Sequence, residues 1–163
     1  MLAVSNTSRI SNLASTDRLV LLRSQFSTVS MPNAVANELA THPDPVARDA
    51  IQNAIREGWL RIETAQDSPL LRILLLQLHS GEAEAIALAT DLKADIVLID
   101  EQEGRQLASK AGLAVTGVLG VLLRAKRKGD IAAVKPEIDL LRSKARFFVS
   151  PLLEAKVLVA AGE

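Results

Sequence analysis

The 163-residue chain contains no cysteine, only two histidines and four aromatic residues. The absence of cysteine excludes disulfide scaffolds, zinc fingers, iron–sulfur sites and thiol nucleophiles. Two histidines are too few for a histidine-rich metal site, so any metal would be held mainly by oxygen, which indicates Mg²⁺ or Mn²⁺. The scarcity of aromatic side chains limits recognition of single-stranded nucleic acid by base stacking.

The sequence also lacks a long hydrophobic run. Its richest apolar segment, Leu70–Leu78, is interrupted by Arg72 and Gln77 and is too short for a membrane span. The first four residues, Met1 to Val4, are too few for the apolar core of a signal peptide and follow no basic lead. These features predict a soluble, cytoplasmic protein that has no membrane partner.

The net charge is zero, but the charges are unevenly distributed. Residues 1–100 carry 8 Lys and Arg against 12 Asp and Glu, whereas residues 101–163 carry 11 against 7. The basic excess is densest over residues 124–146 and begins with Arg124, Lys126, Arg127 and Lys128. This division suits a polyanion bound beside carboxylates, although the solvated faces of amphipathic helices produce the same pattern.

Short apolar runs alternate with helical periodicities along the whole chain. The runs that predict strands are Leu2–Ser5, Thr28–Met31, Trp59–Glu63, Asp95–Asp100 and Gly112–Gly117. Continuous apolar strands that alternate with helices are typical of a mostly parallel sheet covered on both faces. The sequence therefore predicts one three-layer α/β/α domain over residues 1–163, with about five strands. The helices after about residue 132 are predicted as an appended segment.

Polar residues follow two of the predicted strands. Leu2–Ser5 runs into Asn6, and the apolar run 96–99 runs into Asp100. Ligands in open α/β sheets bind at the carboxyl ends of the strands, near the point where the strand order reverses. The two residues are therefore candidates for a site, although Asp100 is also a residue type that caps helices.

Three further carboxylates belong to predicted helices. Glu38 follows the second strand, and Glu82 and Glu84 begin the helix before the strand that ends at Asp100. At about 100° per residue, Glu82 projects into the apolar arc of its helix and Glu84 lies on the flank. Stabilisation of the helix dipole is the alternative role for both.

Carboxylates that converge in a partly dry cleft repel each other unless a cation lies between them. A convergent set therefore predicts a divalent-metal site, which would activate water and neutralise charge on a phosphodiester. Other catalytic motifs are missing. Gly112 and Gly117 are followed by Val118-Leu119 rather than Lys-Ser/Thr, so they do not form a P-loop. The histidines lack ligand spacing and are interpreted as structural or exposed residues.

Four segments in order resemble the PIN-domain superfamily, in its uncharacterised prokaryotic branch. These segments are residues 4–8 (VSNTS), 81–89 (GEAEAIALA), 98–100 (LID) and 115–125 (VTGVLGVLLRA). The resemblance implies a PIN-like α/β/α fold with a parallel sheet and metal-dependent ribonuclease activity. It also implies a VapC-type toxin that is silenced by an antitoxin protein and is commonly dimeric.

By position, the resemblance implies site roles for particular residues. The implied catalytic residues are Asn6, Glu38, Glu82 and Asp100. The implied ligands of Mg²⁺ or Mn²⁺ are Asp100, Glu82, Glu38, Glu84 and Glu103. Asn6 stands where active members of the family usually have aspartate, and an amide contributes an oxygen but no charge, so metal affinity should fall.

The sequence thus predicts a Mg²⁺- or Mn²⁺-dependent endoribonuclease, the toxin of a type II toxin–antitoxin pair. The predicted contacts with the RNA backbone are Arg124, Lys126, Arg127 and Lys128. A cognate antitoxin and a second copy of the chain are the predicted protein partners. The alternative prediction is a catalytically degenerate PIN-fold module that binds RNA or a protein partner without cleavage.

Overall fold

The computed structural model describes all 163 residues. The elements in chain order are β1 (Leu2–Ser5), α1 (Thr7–Ser15), α2 (Val20–Gln25), β2 (Thr28–Pro32), α3 (Asn33–Ala40), α4 (Pro45–Arg56), β3 (Leu60–Glu63), α5 (Pro69–Leu74), α6 (Ser80–Asp91), β4 (Ile96–Leu98), α7 (Gln102–Lys110), β5 (Val115–Thr116), α8 (Val118–Lys128), α9 (Lys135–Ala145) and α10 (Pro151–Ala161). None of the ten helices combines the length and apolarity needed to cross a lipid bilayer.

The five strands form one parallel sheet in the order β3-β2-β1-β4-β5. In the central strand β1, Ala3 is paired with Val29 of β2 on one side and Ile96 of β4 on the other. The chain proceeds outward from β1 to β3 and then returns to the other side of β1. The strand order therefore reverses between β1 and β4, and the predicted three-layer fold with about five strands is confirmed.

Three helices begin with the same sequence signal, a capping side chain followed by proline. A side-chain oxygen of the N-cap accepts a hydrogen bond from a first-turn N–H, and proline occupies the next position, where it needs no acceptor. The capping pairs are Asp44 with Val46 N–H, Ser68 with Leu71 N–H and Ser150 with Leu153 N–H. These signals determine where α4, α5 and α10 begin.

Two segments differ from the sequence-based expectation. The apolar helix expected to reach Leu78 ends at Leu74 and continues as turns. Residues 147–149, expected as a minor extended segment, pair with no strand. Arg146 ends α9 in the left-handed conformation, with φ 51°, so the chain turns there toward α10 and not toward a sheet edge.

The sheet is packed on both faces. Successive residues of a strand point to opposite faces, so Ala3 and Leu98 join one apolar cluster while Val4 and Val97 join the other. The larger cluster contains apolar residues of α1, α2 and α8 and extends to Val157 in α10. The smaller cluster is formed with α5, α6 and α7. This double covering fixes the carboxyl edge of the sheet, where the polar residues lie.

Candidate active site

A cavity of about 430 Å³ opens at the carboxyl edge of the sheet, where the strand order reverses. Its lining is polar apart from one glycine and consists of Asn6, Thr7, Ser8, Glu38, His79, Ser80, Gly81, Glu82 and Glu101. Three of the residues predicted for the site, Asn6, Glu38 and Glu82, therefore line one cavity.

Three helix N-termini meet at this cavity. Asn6 is the N-cap of α1, His79 is the N-cap of α6, and Glu101 is the N-cap of α7. None of these side chains caps its own helix, so first-turn N–H groups remain without an intrahelical acceptor. The positive ends of three helix dipoles therefore favour negative charge in and around the cavity.

Glu101 is the most closely held carboxylate of the cavity. Its two oxygens accept hydrogen bonds from Asn6 Nδ2 at 3.2 Å and from Ser8 Oγ at 3.1 Å. The guanidinium of Arg9 lies 3.7 Å from Glu101 Oε2. Burial by itself raises the pKa of Glu101, but its backbone hydrogen bond, the charge of Arg9 and the hydrogen bonds of Glu82 and Ser8 outweigh burial and lower it.

The carboxyl groups of Glu82 and Glu101 line the same cavity and are close enough for each to shift the pKa of the other. Burial is the largest cause that raises the pKa of Glu82 from 4.5 to about 7, and the neighbouring carboxyl group of Glu101 adds to it. Two carboxyl groups this close retain one proton between them near neutral pH. The pair is therefore placed to exchange that proton for a cation.

Glu38 reaches the cavity from α3 because the second residue of α6 is a glycine, Gly81. A Cβ atom at Gly81 would lie 3.2 Å from Glu38 Oε1 and 3.5 Å from Thr7 Oγ1. The missing side chain lets α3, α6 and α1 approach closely at this point. The carboxylate of Glu38 makes no hydrogen bond or ion pair, so it is free to bind a ligand.

Asp100 lies outside the cavity. Its Oδ1 accepts a hydrogen bond from Val118 N–H at 3.2 Å, at the start of α8, and its Oδ2 forms an ion pair with Arg9. Gly117 allows this orientation, because a Cβ atom there would overlap Asp100 Oδ1. Asp100 thus caps α8 and neutralises a buried cation, and the next residue, Glu101, occupies the cavity.

Arg9 is the cation beneath the cavity. It lies in the first turns of α1, and its side chain is 1% exposed. Burial lowers the pKa of its guanidinium to about 9, against the opposing effect of Glu101. It is fully protonated at neutral pH and supplies a fixed positive charge to Asp100 and Glu101.

The other two predicted metal ligands are not among the residues that line the cavity. Glu84 Oε2 accepts a hydrogen bond from Ala34 N–H at 3.1 Å and so caps α3. Glu103, exposed in the first turn of α7, lines an adjoining groove with Leu75 and Leu76.

The four predicted RNA-binding cations lie on α8. This helix begins beside Asp100 and runs for 11 residues, roughly 16 Å, away from the carboxyl edge. Arg124 lies over the ring of Phe26, Lys126 pairs with Glu163, and Lys128 donates to the carbonyl of Ser24. The fold does not bring these four cations to the cavity.

Sequence reasoning missed Glu101, Ser8 and Arg9. Arg9 and the N–H of Val118 hold Asp100 outside the cavity, so the side chain that lines it is that of Glu101. Arg9 lies one residue before the buried Ile10 and four residues before the buried Leu13. This position is the sequence signal that could have predicted a buried charge in α1.

The oxygen atoms around the cavity suit a hard divalent cation. Asn6 Oδ1, Thr7 Oγ1 and Glu82 Oε1 are buried and have no hydrogen-bond partner. No three Asp, Glu or His side chains are close enough to hold a metal by themselves. The donor set is therefore mixed, with carboxylate, amide and hydroxyl oxygens of the kind that Mg²⁺ and Mn²⁺ accept.

The raised pKa of Glu82 predicts a pH-dependent stability. Because its folded pKa of about 7 exceeds the value of 4.5, its contribution to stability is complete at low pH and is lost as pH rises through 7. In EDTA, Glu82→Gln should therefore melt about 3 °C above the wild type at pH 8, with a smaller difference at pH 5. Thermal melts over this pH range test the prediction, and a pH-independent difference would contradict it.

Comparison with known proteins agrees with this architecture. Residues 2–163 match the DUF3368 family, described as a PIN domain. Among solved structures, the chain is similar to a PilT N-terminus domain protein from the hyperthermophilic archaeon Sulfolobus solfataricus P2. The two are 18% identical, with a TM-score of 0.56 over 77% of this chain and 93% of that one. No curated protein matches the chain by sequence.

The doubly wound parallel sheet and the polar cavity at its switch point define an α/β protein with an oxygen-lined binding site. The chain belongs to the PIN-domain superfamily, as its sequence predicted. PIN domains are generally nucleases and typically use divalent metals.

Proposed function

We propose that the chain is a Mg²⁺- or Mn²⁺-dependent endoribonuclease. The observation that carries the proposal is the cavity that Glu38, Glu82 and Glu101 line together with unpartnered buried oxygens of Asn6 and Thr7. A site of this composition, at three helix N-termini, accommodates both a cation and a phosphate charge. The PIN-domain family of the chain supports hydrolysis of a phosphodiester.

Glu82, Glu101 and Asn6 would hold the cation, with the hydroxyl of Thr7 beside them. When bound, it supplies Lewis-acid stabilisation of phosphate charge and a more acidic water. Asn6 and Ser8 fix the orientation of the Glu101 carboxylate by their hydrogen bonds. Arg9 limits the repulsion between Glu82 and Glu101, because it lies close to Glu101 and attracts both charges.

The phosphodiester would be cleaved by in-line attack of water on phosphorus. The water oxygen forms the new bond to phosphorus and the bond from phosphorus to the 3′ oxygen breaks. The 3′ oxygen takes up a proton from solvent, so the products are a 5′-phosphate and a 3′-hydroxyl. Glu38, whose carboxylate has no protein partner, is positioned to accept the proton of the water. The first-turn N–H groups of α1 and α6 would face the phosphate oxygens.

The test is cleavage of a mixed pool of structured RNA by the purified protein, in Mn²⁺ or in EDTA. We expect cleavage only with the metal, 5′-phosphate ends on the products, and loss of activity in the double variant Glu38→Gln, Glu82→Gln. Activity that persists in the double variant would identify a contaminating nuclease. Absence of cleavage by the folded wild-type protein would contradict the proposal.

A second candidate function is a PIN-fold module that binds RNA or a protein without cutting. Two observations favour it: the amide of Asn6 brings no charge, and no three acids converge as a ready metal site. Thermal melts separate the two functions. The nuclease should gain stability from Mn²⁺ by mass action, whereas the binding module should not.

The toxin role, the antitoxin partner and the homodimer stay predictions from the family resemblance. Exposed apolar side chains support a protein partner of some kind, since contiguous apolar surface is common at interfaces. They lie after α5, at Leu75 and Leu76, and on α10, at Leu152, Leu153 and Val159.

A further inference from the structure

A second cavity, of about 440 Å³, lies against the middle and end of α1, away from the acidic cavity. Its floor is the polar face of α1, with Ser11, Asn12 and Ser15. One wall is the loop between α3 and α4, which contains His42. The other wall is the end of α9, with Lys144 and Arg146.

His42 organises the donors of this cavity. Its Nδ1 accepts a hydrogen bond from Asp44 N–H at 3.1 Å, so the neutral ring carries its proton on Nε2. Nε2 lies 2.9 Å from Ser11 Oγ and 3.3 Å from Ser15 Oγ. A serine hydroxyl that accepts from His42 keeps its own hydrogen available for an anion.

The cavity also has an excess of uncompensated positive charge. Lys144 and Arg146 are exposed, and neither forms an ion pair or a side-chain hydrogen bond. The only acid in the lining is Asp44, and its carboxylate already caps α4 through Val46 N–H at 2.9 Å. Two free cations and two serine hydroxyls are a donor set suited to a phosphate group.

The two cavities are joined along two helices. The half-buried face of α1 carries Ser8 in the acidic cavity and Ser15 in the basic one, about 10 Å apart along the axis. Glu38 and His42, four residues apart at the end of α3, likewise belong to one cavity each. A short stretch of a single nucleic-acid strand can span this distance.

We propose that the cavity formed by Ser11, Ser15, His42, Lys144 and Arg146 binds a backbone phosphate of the RNA strand whose neighbouring phosphodiester occupies the acidic cavity. This inference rests on the proposed ribonuclease function. It also predicts the path of the strand over the protein, which runs along α1 toward α9. Backbone contacts suit a chain with four aromatic residues, because so few rings offer little surface for base stacking.

The test measures binding without cleavage. A fluorescently labelled single-stranded oligoribonucleotide is titrated in EDTA with the wild type and with the double variant Lys144→Ala, Arg146→Asn. Asparagine suits the left-handed backbone at position 146. The matched control, Lys110→Ala with Lys156→Ala, removes the same charge at two exposed and unpaired lysines that line neither cavity.

We expect the cavity variant to bind about tenfold more weakly and the control variant to bind like the wild type. The slope of log affinity against log salt should become shallower by about 0.7, because the variant loses one single-strand phosphate contact and each such contact contributes about 0.7. Equal losses in both variants would show a general effect of charge and overturn the proposal, as would undetectable binding by the wild type.

Two further arms separate this proposal from others. Inorganic phosphate is titrated alone; if it binds through Lys144 and Arg146 while RNA affinity is unchanged in the variant, the cavity accepts a free anion and the proposal is wrong. Cleavage is measured in parallel with Mn²⁺. RNA binding that depends on the cavity without any cleavage would refute the nuclease and leave the phosphate subsite in place.

Discussion

Replacing Glu101 by glutamine should reduce Mn²⁺-dependent RNA cleavage at least a hundredfold. The substitution keeps the size of the side chain, replaces one of its two acceptor oxygens by an NH₂ donor, and removes the charge that faces Asn6, Ser8 and Glu82. Loss of a charged ligand weakens cation binding and the stabilisation of phosphate charge together. Initial cleavage rates over a range of Mn²⁺ concentrations measure the effect, which higher metal concentration should partly restore.

Glu103→Gln is the matched control for this result. Glu103 lies two residues further along α7 and lines the adjoining groove, outside the acidic cavity. We expect its variant to retain cleavage within a few-fold of the wild type. Equal losses in the two variants, or full activity of Glu101→Gln, would contradict the assignment of Glu101 as a metal-binding residue of the acidic cavity.

Asp100→Asn distinguishes the two neighbouring acids. The family resemblance assigns the metal to Asp100, whereas the structure engages Asp100 with Arg9 and with Val118 N–H. An asparagine can still cap α8, so we expect this variant to lose stability and to keep most of its activity at a temperature where it is folded. A greater loss of cleavage in Asp100→Asn than in Glu101→Gln would favour the assignment from resemblance.

Arg9→Met should lower the free energy of unfolding by about 3 kcal/mol, because it removes the buried cation that pairs with Asp100 and Glu101. Methionine fills a similar space, so the effect reports mainly the lost charge. Urea denaturation at pH 8 measures the loss. At pH 5 the loss should be smaller, since Glu82 is then protonated.

Arg23→Ala provides the comparison for Arg9. Arg23 pairs with Glu57 at 2.5 Å, but both side chains are at least half exposed. Exposed ion pairs contribute about 1 kcal/mol or less because water screens them. Similar losses for Arg9→Met and Arg23→Ala would show that Arg9 does not act as the buried counter-charge of the site.

Local sequence signals were sufficient for most of the fold. Ser150 followed by Pro151, and Asp44 followed by Pro45, are backbone-level signals that determine a helix start whatever the tertiary context. The alternation of apolar runs with helical periodicities predicted the parallel sheet. The polar residues after two strands predicted which edge of the sheet carries the cavity.

The details of the site depend on information that is not local. Whether Asp100 or Glu101 enters the cavity depends on tertiary contacts, because Arg9 and Val118 N–H hold Asp100 while other side chains hold Glu101. The charge count located a basic region without showing which of its cations share a surface. The fold carries residues 126–128 away from the acidic cavity and brings Lys144 and Arg146 to the same groove as Ser11.

The buried guanidinium of Arg9 has a consequence for how the protein responds to its surroundings. Because the chain carries its own counter-ion, the acidic pair does not need a metal in order to fold. A cation that binds as proposed would have to displace a proton and compete with the field of a permanent positive charge. The bound cation would then exchange with ions in solution. The concentration of free Mg²⁺ or Mn²⁺ would control the rate of cleavage, whereas the amount of folded protein would stay the same.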